Sequence, residues 1–283
     1  EKSITLNAEE LEEAVHLAEE HHVVLAEAMT IFHMPIYKEL RIRMDTGEFG
    51  ELRLLQMNFG SYKEYDMKNR FFNRNLAGGA LLDIGVYALS FLRWFMSSKP
   101  DQILSQVKYA PTGVDEQASI LLKNKEEEMA TVILSLHAKQ PKRGTISFDK
   151  AYIELFEYPR GEEAIITYTE DGHKEVVSIG STDRALEYEV ADMEVAVAGE
   201  KNRMHLDYTI DVMVRRRLGR QKHRLRTERS SLPEQKLHLQ MERRSFLPEN
   251  SRLWMEKAHS GRRKMRLTRK RRNWRTAGRN TEK

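Results

Sequence analysis

The first 45 residues combine a helical period with a short apolar run. Residues 7–21 repeat apolar side chains three to four positions apart, behind Asn7 as a polar cap, which predicts an amphipathic helix. The apolar run 23–29 predicts a short buried strand. Pro35 favours the start of a second helix that ends at about Asp45.

From residue 51 onward, apolar and polar positions mostly alternate, which is typical of strands with one buried face. A helix is expected after Gly78 and Gly79, and two more at 185–199 and 206–218. The predicted strands are 51–62, 103–110, 117–124, 129–138, 143–149, 151–158, 164–170 and 174–179. So many strands in succession predict one mainly antiparallel open sheet covered by helices, an α+β fold.

Composition narrows the class of protein. The 283 residues include no cysteine, which excludes disulfides, thiolate metal sites and a cysteine nucleophile. The longest apolar runs carry charges and fall short of about 18 uninterrupted apolar residues, so no membrane span is predicted. No His, Asp or Glu group has the spacing of metal ligands, so no metal site is predicted. We expect a soluble protein of the reducing cytoplasm.

The net charge of +4 conceals two different regions. Residues 214–283 contain 24 Lys and Arg against six Glu and no Asp, a net of +18, which leaves a net of −14 for residues 1–213. This aperiodic tail predicts no packed core, and its abrupt onset is typical of translation out of frame. It leaves open an alternative function, nonspecific nucleic-acid binding through contacts of Lys and Arg with phosphates.

The start of the helix after the glycine pair carries the most specific chemistry. Gly78 and Gly79 precede Asp83 and Tyr87, which at a spacing of four lie on one helical face. Gly85 between them predicts that another element packs closely against this helix. One interpretation is a core helix with a satisfied carboxylate and a half-buried ring. The other is a site where both side chains meet one substrate.

Several stretches together resemble the Gfo/Idh/MocA oxidoreductases, and most of all the branch of dimeric dihydrodiol dehydrogenases and glucose-fructose oxidoreductases. The family pattern Gly-Gly-x-x-x-Asp-x-Gly-x-(His or Tyr) is matched by Gly78, Gly79, Asp83, Gly85 and Tyr87. The resemblance extends through about residue 213 and includes ITLNAEELEEAVHLAEEHHVVLAEAM, HMPIYKELR and TGVDEQASILLKN.

The resemblance implies three regions. Residues 1–29 would be the C-terminal remnant of an NAD(P)-binding Rossmann domain, 30–213 the substrate and dimerisation domain, and 214–283 an aberrant basic tail. No G-x-G-x-x-G turn for a pyrophosphate occurs in the sequence. We therefore expect a truncated copy, inactive alone, that keeps little of the NAD or NADP site.

The resemblance also implies roles for single residues. The family's Glu-Lys-Pro motif corresponds to Glu1, Lys2 and Ser3, so the proline is replaced. Tyr87 would be the catalytic proton donor and acceptor, with its pKa lowered by Lys2. Asp83 would orient a substrate hydroxyl, and Glu1 and Lys2 would contact the cofactor.

Two further residues have weaker claims to the substrate site. Arg70 matches a family arginine ahead of the glycine pair, and the alternative is a surface arginine. His33 follows the predicted strand 23–29 near the expected cleft, and the alternative is a structural histidine. The implied function is an NAD(P)-dependent dehydrogenase, a homodimer formed through the sheet, that removes hydride from a sugar or vicinal diol.

Overall fold

The structure, a computed structural model, describes residues 2–213. Glu1 and the tail 214–283 lie outside the described residues, and so do the predictions made for them. Every element below belongs to the described part of the chain.

The helices begin and end close to their predicted positions. Asn7 caps the first, because its side-chain oxygen accepts the amide of Glu10 at 2.9 Å. Pro35 opens the second. The helices are α1 (Ala8–Glu20), α2 (Pro35–Asp45), α3 (Val86–Phe95) and α4 (Ala185–Val197), and residues 206–213 are also helical.

The eight strands predicted from residue 51 onward are all present. They are β1 (Leu52–Gly60), β2 (Gln102–Tyr109), β3 (Asp115–Lys123), β4 (Met129–Ser135), β5 (Arg143–Phe148), β6 (Ala151–Phe156), β7 (Glu163–Tyr168) and β8 (Lys174–Ser178). Burial alternates along them. In β3, Ala118, Ile120 and Leu122 are buried, whereas Ser119 and Leu121 are exposed, so one face of the sheet contacts the core and the other does not.

Residues 23–29, predicted as a buried strand, form no strand in the structure. No described strand pairs with them, and the amide of Met29 instead donates to the carbonyl of Glu27 at 2.7 Å. An apolar run becomes a strand only beside a partner that completes the ladder, and periodicity does not supply one. The strand prediction is therefore wrong.

One mixed sheet contains all eight strands, in the order β2-β3-β4-β1-β5-β6-β7-β8. Neighbours are antiparallel except β1 and β4, which run parallel, with Leu54 opposite Met129 and Gly60 opposite Ser135. Parallel strands end at the same edge, so the loops after β1 and β4 emerge side by side. Because β3 is antiparallel to β4, its first residue, Asp115, lies at that edge as well. The predicted α+β fold with a mainly antiparallel open sheet is confirmed.

The helices pack in two hydrophobic clusters. In the main cluster, α2 and α3 bury their apolar faces with the inner face of the sheet. In a second, smaller cluster, Ala8 and Leu11 of α1 pack with Met213 of the helical stretch 206–213. The assignment of residues 1–29 to the end of a Rossmann domain is not tested by this packing and stays a prediction.

One described stretch, Arg74–Phe95, is long and apolar enough by length and composition to cross a membrane. Of its apolar window, 61% is buried inside the fold. Core helices of proteins without membrane spans share this property, because their apolar side chains contact other protein atoms.

Candidate active site

The turn before α3 is shaped by a carboxylate from β3. Oδ2 of Asp115 accepts the amide of Leu81 at 2.6 Å, and so satisfies a helix-start donor that has no helical partner. Gly79 has φ +120°, and a side chain there would collide with the Asp115 carboxylate. A side chain at Gly78 would collide with three backbone carbonyl oxygens. Both glycines are therefore required by close approach.

The helix itself opens with a wider turn. Leu81–Gly85 form one π turn before α3 begins at Val86, an irregularity that is frequent at functional sites. A Cβ on Gly85 would lie 2.8 Å from Cδ1 of Leu134 on β4. The predicted close packing against Gly85 is confirmed. This packing holds the π turn against the sheet.

Lys2 is positioned by hydrogen bonds of the two residues that follow it. The Ser3 hydroxyl donates to the carbonyl of Leu82 at 3.1 Å, so Ser3 ties this segment to the π turn. The amide of Ile4 donates to Oε1 of Glu27 at 3.1 Å, and the Thr209 hydroxyl donates to Oε2 at 3.2 Å. Glu27 is buried, so the start of the described chain is fixed to the helical stretch 206–213.

Lys2 contacts both residues of the Asp83–Tyr87 pair. Its Nζ lies 3.2 Å from Oδ1 of Asp83 and donates to the backbone carbonyl of the same residue. It also lies over the Tyr87 ring, 4.9 Å from the centroid. Arg70 reaches Oδ1 of Asp83 from the other direction, at 3.3 Å. The structure therefore brings Lys2, Asp83, Tyr87 and Arg70 into one cluster, which we call the catalytic cluster after the role that the family resemblance implies for Tyr87.

Other tyrosines near the core have environments unsuited to proton exchange. Burial raises the pKa of Tyr37 and of Tyr158 far above the usual range. The hydrogen bond to Glu116 raises the pKa of Tyr65. Tyr87 is only partly buried, and the Lys2 ammonium lies over its ring; its role as proton donor and acceptor stays a prediction.

The loop after β1, residues 61–72, adds residues that the sequence did not single out. The Phe71 ring lies under two cations: the guanidinium carbon of Arg70 is 4.1 Å from its centroid, and Nζ of Lys63 is 4.4 Å away. Arg70 in turn contacts Asp83. No periodicity or motif marks Lys63 or Phe71, because a loop brings them to the site.

His33 lies in a different cluster. Its ring is fully buried, and Nδ1 is 2.7 Å from Oδ2 of Asp192 on α4. Lys38 donates to the same oxygen at 2.5 Å. None of the contacts found for His33 among residues 2–213 joins it to the catalytic cluster. A substrate role for His33 stays a prediction, and its complete burial does not favour it.

No group of three or more His, Asp or Glu within the described range could hold a metal ion. The glycine-containing turn before α3 does not fit a pyrophosphate, because the Asp115 carboxylate already accepts the Leu81 amide there. The expected contact of Lys2 with the cofactor stays a prediction.

Comparisons with known proteins agree with the sequence resemblance. Residues 37–154 match a family model described as the GFO/IDH/MocA C-terminal domain. Trans-1,2-dihydrobenzene-1,2-diol dehydrogenase of Xenopus tropicalis is 29% identical over 156 residues, 55% of this chain and 47% of that protein. The Homo sapiens enzyme of the same name is 31% identical over 156 residues, 55% of this chain and 46% of that protein. The chain spans about half the length of these curated relatives.

Solved structures share the fold at low identity. A 3-ketoreductase from Actinomadura kijaniata, crystallised with NADP and TDP-benzene, superposes with a TM-score of 0.65 at 17% identity, over 75% of this chain and 67% of that chain. A UDP-N-acetylglucosamine 3-dehydrogenase from Acidithiobacillus ferrooxidans gives a TM-score of 0.58 at 20% identity, over 74% of this chain and 67% of that chain.

Proposed function

We propose that the catalytic cluster serves an NAD(P)-dependent dehydrogenase acting on a hydroxyl of a sugar or vicinal diol. Residues 37–154 match the model of the GFO/IDH/MocA C-terminal domain. The domain match and the curated dehydrogenases confirm the family resemblance seen in the sequence. The whole protein's activity, substrate and cofactor are our proposal.

One observation carries the proposal. Lys2 contacts both Asp83 and Tyr87, so a base, an orienting carboxylate and a cation meet at one place. A carboxylate that only capped a core helix would need neither the lysine nor a tyrosine one turn away. The relatives' names support a hydroxyl substrate, since the curated proteins are diol dehydrogenases and one solved structure is a sugar dehydrogenase.

In the proposed reaction, the cluster orients the substrate and removes the proton of the hydroxyl that is oxidised. Asp83 accepts a hydrogen bond from a substrate hydroxyl and so fixes the orientation of the reacting carbon. Tyr87, as a phenolate, removes the proton of the hydroxyl that is oxidised, and returns it in the reverse direction. Lys2 stabilises the phenolate charge. The described residues do not fit the pyrophosphate of NAD or NADP, so we assign the hydride acceptor to none of them.

A fusion tests the proposal. A Rossmann NAD(P)-binding segment of a dehydrogenase, joined ahead of this chain, would supply a nucleotide site. We expect nicotinamide absorbance to report oxidation of sugars or vicinal diols by the fusion and none by the chain alone. A folded fusion that binds NADPH but oxidises no member of a broad sugar and diol panel contradicts the proposal.

The proposal includes a homodimer through the outer face of the sheet. Leu104, Leu121 and Ile133 are exposed on this face on the adjacent strands β2, β3 and β4, and Leu104 lies opposite Leu121. Exposed apolar patches of this kind mark contact surfaces. Light scattering should give twice the chain mass, and Leu121→Glu should give a monomer that stays folded, with a thermal midpoint no higher than that of the dimer.

We place the protein in the cytoplasm, because a chain without cysteine needs no oxidising compartment. The alternative function, nucleic-acid binding, depends on residues 214–283, which lie outside the described residues, and it stays a prediction.

A further inference from the structure

Two cations of the cluster share one carboxylate: Lys2 and Arg70 both contact Asp83. Lys63, whose ammonium lies over the neighbouring Phe71 ring, forms no ion pair with any carboxylate of residues 2–213. Arg70 and Lys63 therefore meet at the Phe71 ring, and of the described carboxylates only Asp83 is paired with either of them.

The two loop cations are held in place before any ligand arrives. The amide of Lys63 donates to the carbonyl of Leu136 at 2.8 Å, just beyond the end of β4. The Tyr65 hydroxyl donates to the buried Glu116 at 2.6 Å, and Phe72 is fully buried. A loop anchored at three points loses little conformational entropy when a ligand binds.

The exposed edge of Arg70 suits an anion. Its side chain is 61% exposed, and the guanidinium lies over the Phe71 ring. A guanidinium on a ring face keeps N–H groups at its edge, where they match the two oxygens of a carboxylate or phosphate. Lys63 adds a second donor at the same ring.

We propose that Lys63 and Arg70 make this site selective for a substrate that carries an anionic group, a carboxylate or a phosphate, in addition to the reacting hydroxyl. The inference rests on the proposed function, because it names the substrate class of the same site. A sugar acid or a sugar phosphate would place its anion at the Phe71 ring while its hydroxyl meets Asp83 and Tyr87.

Binding to the intact chain tests this without a cofactor. Isotope-labelled chain is titrated with D-glucose, D-glucuronate and D-glucose 6-phosphate, and Kd is read from NMR shifts. We expect at least one anionic sugar to bind about tenfold or more tightly than glucose, since a charged hydrogen bond contributes on the order of 1.5–3 kcal/mol. The advantage should shrink as salt is added. Comparison of the two anionic sugars distinguishes carboxylate from phosphate.

Variants in the loop identify the residues. Lys63→Met should remove most of the anionic preference and leave the glucose Kd unchanged. Arg70→Lys keeps the charge but loses the planar donor pair, so it should weaken the anionic sugars less. Lys68→Met is the matched control, because this exposed lysine of the same loop shows no contact with Phe71 or Asp83 in the described part of the chain. Thermal midpoints verify that each variant is folded.

Equal affinity for glucose and both anionic sugars overturns the inference, as does an equal effect of Lys63→Met and Lys68→Met. The absence of binding by all three sugars overturns it too. Hydride transfer by the fusion is measured separately, so the proposed function can stand while the anionic preference fails.

Discussion

Asp83 and Asp192 are two carboxylates with the same side-chain exposure, 10%; Lys2 and Arg70 share the first, and His33, Lys38 and Arg203 share the second. Asp83 joins the start of the chain and the loop 61–72 to the π turn. Asp192 joins α4 to α2 and to His33, and Arg203 approaches it at 3.9 Å. Burial of the carboxylate alone therefore does not distinguish a reactive site from a structural one.

The two carboxylates differ in the groups that contact them. His33 is fully buried, and its second ring nitrogen, Nε2, finds no partner among the described residues. Burial alone would raise the pKa of Asp192, but hydrogen bonds from His33 and Lys38 outweigh burial and hold the pKa below its usual range. Arg70, on Asp83, is largely exposed and can exchange its carboxylate for a ligand. The contrast is therefore between two partners, the exposed Arg70 on Asp83 and the fully buried His33 on Asp192.

The largest effect expected concerns Tyr87. In the fusion, Tyr87→Phe should lower kcat on the order of 100-fold or more, because it removes the proton acceptor but keeps the ring. The thermal midpoint should barely change. Tyr158→Phe is the matched control: its hydroxyl donates to the carbonyl of Asn58 at 3.0 Å, so it should cost about 1 kcal/mol of stability and no turnover. Normal turnover of Tyr87→Phe would end the catalytic assignment.

Replacement of each carboxylate by asparagine should lower the free energy of unfolding by different amounts. Asp192→Asn should lower the free energy of unfolding by about 2 kcal/mol, because buried His33 and the Lys38 ammonium lose their counter-charge. Asp83→Asn should cost less than about 1 kcal/mol, because Lys2 keeps its bond to the backbone carbonyl and Arg70 returns to solvent. Chemical denaturation measures both. Equal losses would remove the distinction between the clusters.

The smallest effect is a pH dependence near Asp192. Burial lowers the pKa of His205 to about 4, against about 6.5 in an unfolded chain. The folded state thus resists protonation, so stability is complete above about pH 6.5 and falls as pH drops towards 4. Because the ring is partly exposed, we expect a loss of about 1 kcal/mol.

His205→Asn should flatten that part of the pH profile. Asparagine tolerates the left-handed backbone, φ 50°, that His205 adopts, and it does not titrate. His21→Asn, at an exposed position, is the control and should leave the slope unchanged. A slope that persists in His205→Asn means that another group titrates.

Much of the fold follows from local pattern. Alternation located all eight strands, and capping by Asn7 and the position of Pro35 located two helix starts. The segment 23–29 failed because strand formation depends on a partner, which a local window does not contain. The glycine pair and the spacing of Asp83 and Tyr87 were informative because close approach and a shared helical face are local constraints.

Local sequence was enough to mark the candidate reactive residues: a carboxylate and a phenol one helical turn apart, and a lysine in a stretch that resembles a family motif. The contacts came from the fold: Lys2 reaches both residues, Arg70 contacts Asp83 and lies with Lys63 at the Phe71 ring, and His33 pairs with Asp192. The reason is physical. Periodicity determines which face of its own helix or strand a residue occupies. Contacts between residues many tens of positions apart depend instead on the order of the strands and the paths of the loops. Here the parallel pairing of β1 with β4 brings the loops after these strands together.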